Sequence, residues 1–175
     1  MSQVENGKRI DVAVMMGSKS DLETMRPAAR TAEALGLAVE MRVLSAHRTP
    51  EEAVAFVEDA VKRGVKAFIC GAGGAAHLAG AVAAHTTRPV IGVPINAGSL
   101  GGLDALLSTV QMPPGMPVAT VAIGGAENAG LLAAEIVALG DPAVAARVEA
   151  ERLARRKKVL DGDAELRAAD RSPGK

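Results

Sequence analysis

The chain has no tryptophan and no tyrosine, and only two phenylalanines, Phe56 and Phe68. Proteins that hold single-stranded nucleic acid stack its bases on aromatic rings, and this sequence offers no such platform. Charge of neither sign is in excess. Twenty Lys and Arg balance twenty Asp and Glu, so no bulk field draws the protein to DNA, RNA or an acidic membrane. A locally positive pocket stays open as a possibility. Cys70 is the only cysteine, which rules out a disulfide framework within the chain and fits a reducing, cytoplasmic setting. Placed between Phe68-Ile69 and Gly71, it reads as a small core hydrophobe. No apolar run reaches the roughly 20 residues that span a bilayer. The opening MSQVENGKR lacks the hydrophobic centre of a secretory signal. Three scattered histidines and one cysteine give no zinc-ligand spacing. No G-x-S-x-G elbow appears for a serine hydrolase.

What is present is a chain of 175 residues, 49% hydrophobic and 23% charged, of a size and composition suited to one globular domain. Residues 10–16, IDVAVMM, form a continuous apolar-rich run closed by Gly17. Such a run predicts a strand buried on both faces, as in a parallel sheet. Residues 20–35 then show helical spacing through Leu22, Met25, Ala29, Ala32 and Leu35, with Gly36 as the stop. Strands are expected at 38–44, 66–70, 89–93 and 117–123, and helices at 51–63, 75–86, 102–111 and 127–139. Strand and helix alternate five times. The pattern predicts an α/β/α three-layer sandwich around a parallel sheet of five strands. Asp141-Pro142 opens a further amphipathic helix over 141–160, and a helix added to a finished sandwich suits a neighbouring subunit. One domain over 1–160 follows, with a polar, disordered tail at 161–175.

In open α/β sheets, ligands sit beyond the carboxyl ends of the strands, where the strand order switches. The polar residues of this sequence gather there. Strand one is followed by Gly17-Ser18-Lys19-Ser20-Asp21, and strand two by Ser45-Ala46-His47-Arg48-Thr49. Strand three leads to Gly71-Ala72-Gly73-Gly74-Ala75-Ala76-His77, and strand four to Pro94-Ile95-Asn96-Ala97-Gly98-Ser99. Ser20 or Asp21 would cap the following helix. The free amides of a helix start, with Ser18 and Ser20 hydroxyls beside them, also suit a phosphate. Asp21 would repel that phosphate, so its partners are ribose hydroxyls or a ligand nitrogen. Arg48 offers a planar fork that matches phosphate oxygens, and Ser45 precedes it. His47 can give or take a proton near neutrality. Ala72, Gly73 and Gly74 let backbone approach a flat ligand closely. His77 either lines the site or caps local structure, and His85 reads as an ordinary helix residue. The glycine run is neither a dinucleotide fingerprint nor a P-loop. A receiver-type signalling module would need acidic residues where strand one ends in Met15-Met16-Gly17.

Taken in order, GSKSD, SAHRTP, GAGGAAHL and GLDALLSTVQMPPGMPVAT resemble the N5-carboxyaminoimidazole ribonucleotide mutase family of de novo purine synthesis. The resemblance covers about residues 10–160. It implies a flavodoxin-like sandwich assembled as a homo-octamer, with active sites near subunit contacts. It implies transfer of a carboxylate from the exocyclic nitrogen of an aminoimidazole ribonucleotide to ring carbon C4 by way of CO2. It implies that no ATP, metal or organic cofactor takes part. Carried over, His47 is the catalytic acid and base. Ser18, Asp21, Ser45 and Arg48 hold phosphate and ribose, and Ala72, Gly73 and Gly74 form the glycine-rich wall with His77 nearby. A sister class carboxylates the bare ribonucleotide with CO2. It tends to carry lysine where Arg48 stands and another sequence where GGAAHL stands, so this chain sides with the mutases. Departures from the family pattern are Leu22 for an aromatic residue, Ala79 for a proline, and NAGS at 96–99. From another class, a non-catalytic nucleotide-binding protein on the same fold would have no use for His47.

Overall fold

Val12, Val14 and Met16 of β1 (Val12–Met16) are fully buried, and so are Ala13 and Met15 between them. A strand hides both faces only when layers cover the sheet on each side. A computed structural model, describing residues 8–170, shows those layers. Val12, Val14 and Met16 pack on one side with Met25, Ala28 and Ala32 of α1 (Leu22–Ala34) and Ala126, Ala129 and Ala133 of α5 (Ala126–Ala138). Ala13 and Met15 pack on the other side with Phe56 and Val57 of α2 (Pro50–Lys62) and Leu78 and Val82 of α3 (Leu78–Ala83). The five strands β1, β2 (Val39–Val43), β3 (Ala67–Gly73), β4 (Val90–Ile95) and β5 (Ala119–Thr120) are all parallel. Their spatial order is β2-β1-β3-β4-β5. The chain therefore leaves β1 to one side and returns for β3 on the other, and the switch point lies between β1 and β3. The three-layer flavodoxin-like sandwich expected from the sequence is the architecture observed.

Local chemistry accounts for the boundaries. Pro50 opens α2, where a missing N–H costs nothing. Gly36 follows α1 with φ +82°, and the Gly36 and Leu37 amides donate back to Glu33 O and Ala32 O at 2.9 and 3.1 Å. That left-handed turn is a glycine position. Arg147 of α6 (Pro142–Asp170) lies across it and donates from Nε to Leu35 O at 2.6 Å. The last helix is thereby fastened to the exposed carbonyl end of the first.

Several expectations shift. Strands three and four run on through Gly73 and Ile95, because Ala72 and Gly73 stay in register with Pro94 and Ile95 of β4. The third helix spans only Leu78–Ala83, since Ala75 and Ala76 are held in the preceding loop. The fifth strand is reduced to Ala119–Thr120, an edge paired with β4 alone. The first helix is entered through a 3₁₀ turn, Lys19–Asp21, capped by Ser18 rather than by Ser20 or Asp21. The terminal helix continues ten residues past 160, to Asp170; 171–175 of the expected tail lie outside the described residues. Lys157–Asp161 and Arg167–Asp163 pairs, one turn apart, support that extension. Cys70 sits in the core, where burial pushes its thiol up from the ordinary range. Among the described residues, no helix is long and apolar enough to cross a membrane.

Candidate active site

The loops after β1, β2, β3 and β4 close around one cleft of about 310 Å³. Gly17, Ser18 and Asp21 form its first wall, Ser45, Ala46, His47 and Arg48 the second. Ala72, Gly73, Ala75, His77 and Leu78 form the third, and Ala97 closes it. Eight of the ten candidate residues thus meet. Ser20 and Gly74 lie just outside, and each braces a wall. The Ser20 hydroxyl reaches Ser18 Oγ at 2.8 Å and Asp21 Oδ1 at 3.2 Å. Gly74, at φ +62°, turns the chain out of β3. A larger, open groove of about 820 Å³ runs along His85–Val90 and Gly115–Pro117; it includes none of the candidate residues.

Each loop is built by its own polar side chains. In the first, Ser18 Oγ accepts the Ser20 amide at 3.3 Å and Asp21 Oδ2 accepts the Ser18 amide at 3.1 Å. This reciprocal box fixes the turn after β1. In the second, Ser45 is buried, and its Oγ accepts the amides of His47 and Arg48 at 3.3 and 3.2 Å. The Ser45 amide in turn donates to Thr49 Oγ1 at 2.8 Å. Ser45 therefore shapes the loop that aims His47 and Arg48, and its hydroxyl proton remains to be given to a ligand. Arg48 reaches across the switch point, donating to Gly17 O at 2.6 Å. A guanidinium carries five donors, so the charge that ties the two loops can also face a ligand between them. Gly73 is close-packed: a Cβ there would stand 2.6 Å from the Ala97 methyl.

The histidines meet directly. His47 Nε2 lies 2.8 Å from His77 Nδ1, with the rings edge to face at 88° and centroids 5.0 Å apart. Such a contact needs one nitrogen protonated and the other bare. The pair is thus a proton held between two rings at the mouth of the cleft. Its members are 30 residues apart in sequence. The sequence marks both histidines, but their contact is created by the β1–β3 adjacency, which brings the second and third loops together. Gly17, Ala46, Ala75, Leu78 and Ala97 also line the cleft without having been singled out. Ala97 belongs to the departing NAGS segment, and small apolar residues in loops carry no chemical signal. Among the described residues, no group of three or more His, Cys, Asp or Glu could hold a metal ion.

The protein is of the doubly wound α/β class, and polar loops carrying a cation, hydroxyls and a hydrogen-bonded histidine pair stand at its switch point, where ligands of that class bind. The family model described as AIR carboxylase matches residues 11–158, and the chain belongs to that family. It is 54% identical over 154 residues to the N5-carboxyaminoimidazole ribonucleotide mutase of Brucella melitensis, covering 87% of this chain and 95% of that protein. It is 52% identical over 162 residues to the N5-carboxyaminoimidazole ribonucleotide mutase of Mycobacterium tuberculosis, covering 91% and 92%. Among solved structures, Treponema denticola PurE superposes with a TM-score of 0.80 at 30% identity, covering 89% of this chain and 97% of that one.

Proposed function

We propose that the protein is a mutase that converts N5-carboxyaminoimidazole ribonucleotide to 4-carboxy-5-aminoimidazole ribonucleotide in purine synthesis, with His47 as acid and base. The observation that carries this reading is the contact of His47 Nε2 with His77 Nδ1 inside a cleft that also holds Arg48, Ser18 and Asp21. Arg48 and the Ser18 hydroxyl bind the phosphate, and Asp21 accepts from the ribose. Binding energy spent there, away from the reacting carbon, fixes the ring against the histidine pair. Protonated His47 gives its proton to the carbamate nitrogen as the N–C bond breaks, leaving the free amine and CO2. The enamine carbon C4 attacks CO2 and forms the new C–C bond. Neutral His47 then takes the C4 proton, which restores the aromatic ring and returns the imidazole to its starting charge. One group serves both steps because the reaction is balanced in protons. The Ala72–Gly73 wall and Ala97 keep the released CO2 beside C4.

The test is turnover of the N5-carboxylated ribonucleotide with ATP and metals omitted, followed by the ultraviolet absorbance of the C4-carboxylated product. Product above the rate of spontaneous decay is expected. Product only from the uncarboxylated ribonucleotide at high CO2 would assign the chain to the direct carboxylases instead, and binding without turnover would make it a nucleotide-binding protein.

Arg48 allows a separate check. In Arg48→Ala, losing charge-assisted phosphate contacts should raise KM about 10- to 100-fold with a smaller effect on kcat. An unchanged KM would remove Arg48 from the phosphate site. The protein is also expected to act in the cytoplasm as a homo-octamer. Leu103, Leu107 and Val110 of α4 (Leu103–Val110) share one helical stripe and are each about half exposed. A stripe of that kind suits a second copy of the chain. Light scattering should give eight chain masses, and a stable monomer would contradict the assembly.

A further inference from the structure

We infer that Ser108, on α4, is a positioning residue for the histidine pair; this rests on the acid–base reading above. Ser108 is half-buried, and its Oγ accepts the amide of Ala76 at 3.0 Å. Its own proton is shared among Asp104 O at 2.8 Å, Ala105 O at 3.3 Å and Gly74 O at 3.3 Å. The contact to Asp104 is an ordinary back-bond within a helix. The contacts to Gly74 and Ala76 are different, because they cross 34 and 32 residues to grip the loop that ends in His77. Thr109, next along, adds to the grip. Its Oγ1 gives its proton mainly to Ala105 O at 2.7 Å and lies 3.5 Å from Ala76 O, while its methyl occupies the space left open by Gly92 in β4.

Ala76 is buried and precedes His77 directly. The His77 amide donates to Ala75 O at 2.9 Å, a tight turn that ties the ring's place to the path of residues 74–76. The His77 carbonyl accepts the Ala81 amide at 2.9 Å, but its side chain makes no capping bond to α3. The ring's approach to His47 is therefore set by the loop before it together with the first turn of α3, and that loop is anchored by Ser108. A buried amide left without an acceptor is costly, so removing the hydroxyl drives the loop toward another path. A bond between two ring nitrogens at 2.8 Å does not survive a shift of an ångström. Phosphate binding lies on the first and second loops and is not moved.

Ser108→Ala is expected to lower kcat about 100-fold, the cost of a misplacement of about 1 Å at a reacting group, with KM little changed. Ser108→Thr keeps the hydroxyl and should restore most of the rate, while Ser108→Cys, close in shape but a weak acceptor, should fall between. Nitrogen-15 spectra of the unliganded protein give a reading that does not depend on turnover, since the chain has three histidines. In the wild type, His47 Nε2 and His77 Nδ1 should appear as one protonated and one bare nitrogen. In Ser108→Ala both rings should resemble exposed His85. Unmoved ring signals in a folded Ser108→Ala protein would overturn the inference even if the wild type proved inactive as a mutase. So would moved signals with wild-type kcat. Should the alanine variant fail to fold, unchanged signals and kcat in Ser108→Cys would overturn it equally.

Discussion

Replacing His47 by asparagine is expected to lower turnover about 10²- to 10⁴-fold, the usual worth of a positioned acid–base group. Affinity for the ribonucleotide should be nearly unchanged. Asparagine keeps a polar side chain, shorter than the imidazole by the reach to Nε2, but neither gives nor takes a proton near neutrality. His47 is exposed at the mouth of the cleft, and no core contact is lost with it, so stability should stay within about 0.5 kcal/mol. The Arg48 bond to Gly17 and the Ser45 bonds to the loop amides do not involve the imidazole, and the proposed phosphate site should persist. Single-turnover kinetics together with calorimetric titration of the C4-carboxylated product would separate the two effects. Near-normal turnover would remove His47 from the chemistry. Lost binding with lost turnover would make it a structural residue of the loop.

The second large effect concerns the layer that supports the site. Helices α1 and α5 approach through alanines, with Ala28, Ala32, Ala129 and Ala133 fully buried. Gly130 sits in that seam. A methyl group there would run into the carbonyl oxygen of Ala28 and stand 3.0 Å from Thr31 Cβ. The obstacle is backbone, which cannot swing aside as a long side chain can. Gly130→Ala should therefore cost about 3 kcal/mol, the upper part of the usual range for overpacking. It should lower the urea midpoint without changing the slope. Gly140→Ala, where nothing lies within 4 Å, is the control and should be near neutral. A Gly130→Ala protein as stable as the wild type would mean that the two helices separate freely.

How far the sequence could be read follows from which signals are local. The apolar run ending at Met16 and the helical spacing after it are local, and they gave the layers. The clustering of Ser18, Asp21, His47 and Arg48 at strand ends is local too, and the β2-β1-β3 order makes those loops neighbours. The length of β3 was not legible, because Ala72 and Gly73 have low strand preference and are held extended only by β4. The short third helix has a similar cause: the Ala76 amide is taken by Ser108, a partner 32 residues away that no spacing rule announces. The polar end of α6 read as a tail because it lacks a buried stripe, yet it is a helix laced by ion pairs. Ser18 as cap was hidden by the 3₁₀ turn between it and α1.

In the proposed mechanism one carboxyl group leaves nitrogen and reaches C4 without escaping the cleft. That claim is tested most directly with N5-carboxyaminoimidazole ribonucleotide labelled with carbon-13 in the carbamate. The labelled compound is converted by the wild-type protein in excess unlabelled bicarbonate, and the product is weighed by mass spectrometry at early times. Product that keeps most of the label is expected, because CO2 is held beside C4 until the new bond forms. Product carrying the isotope of the surrounding bicarbonate would contradict the account and would describe an enzyme that takes CO2 from solution.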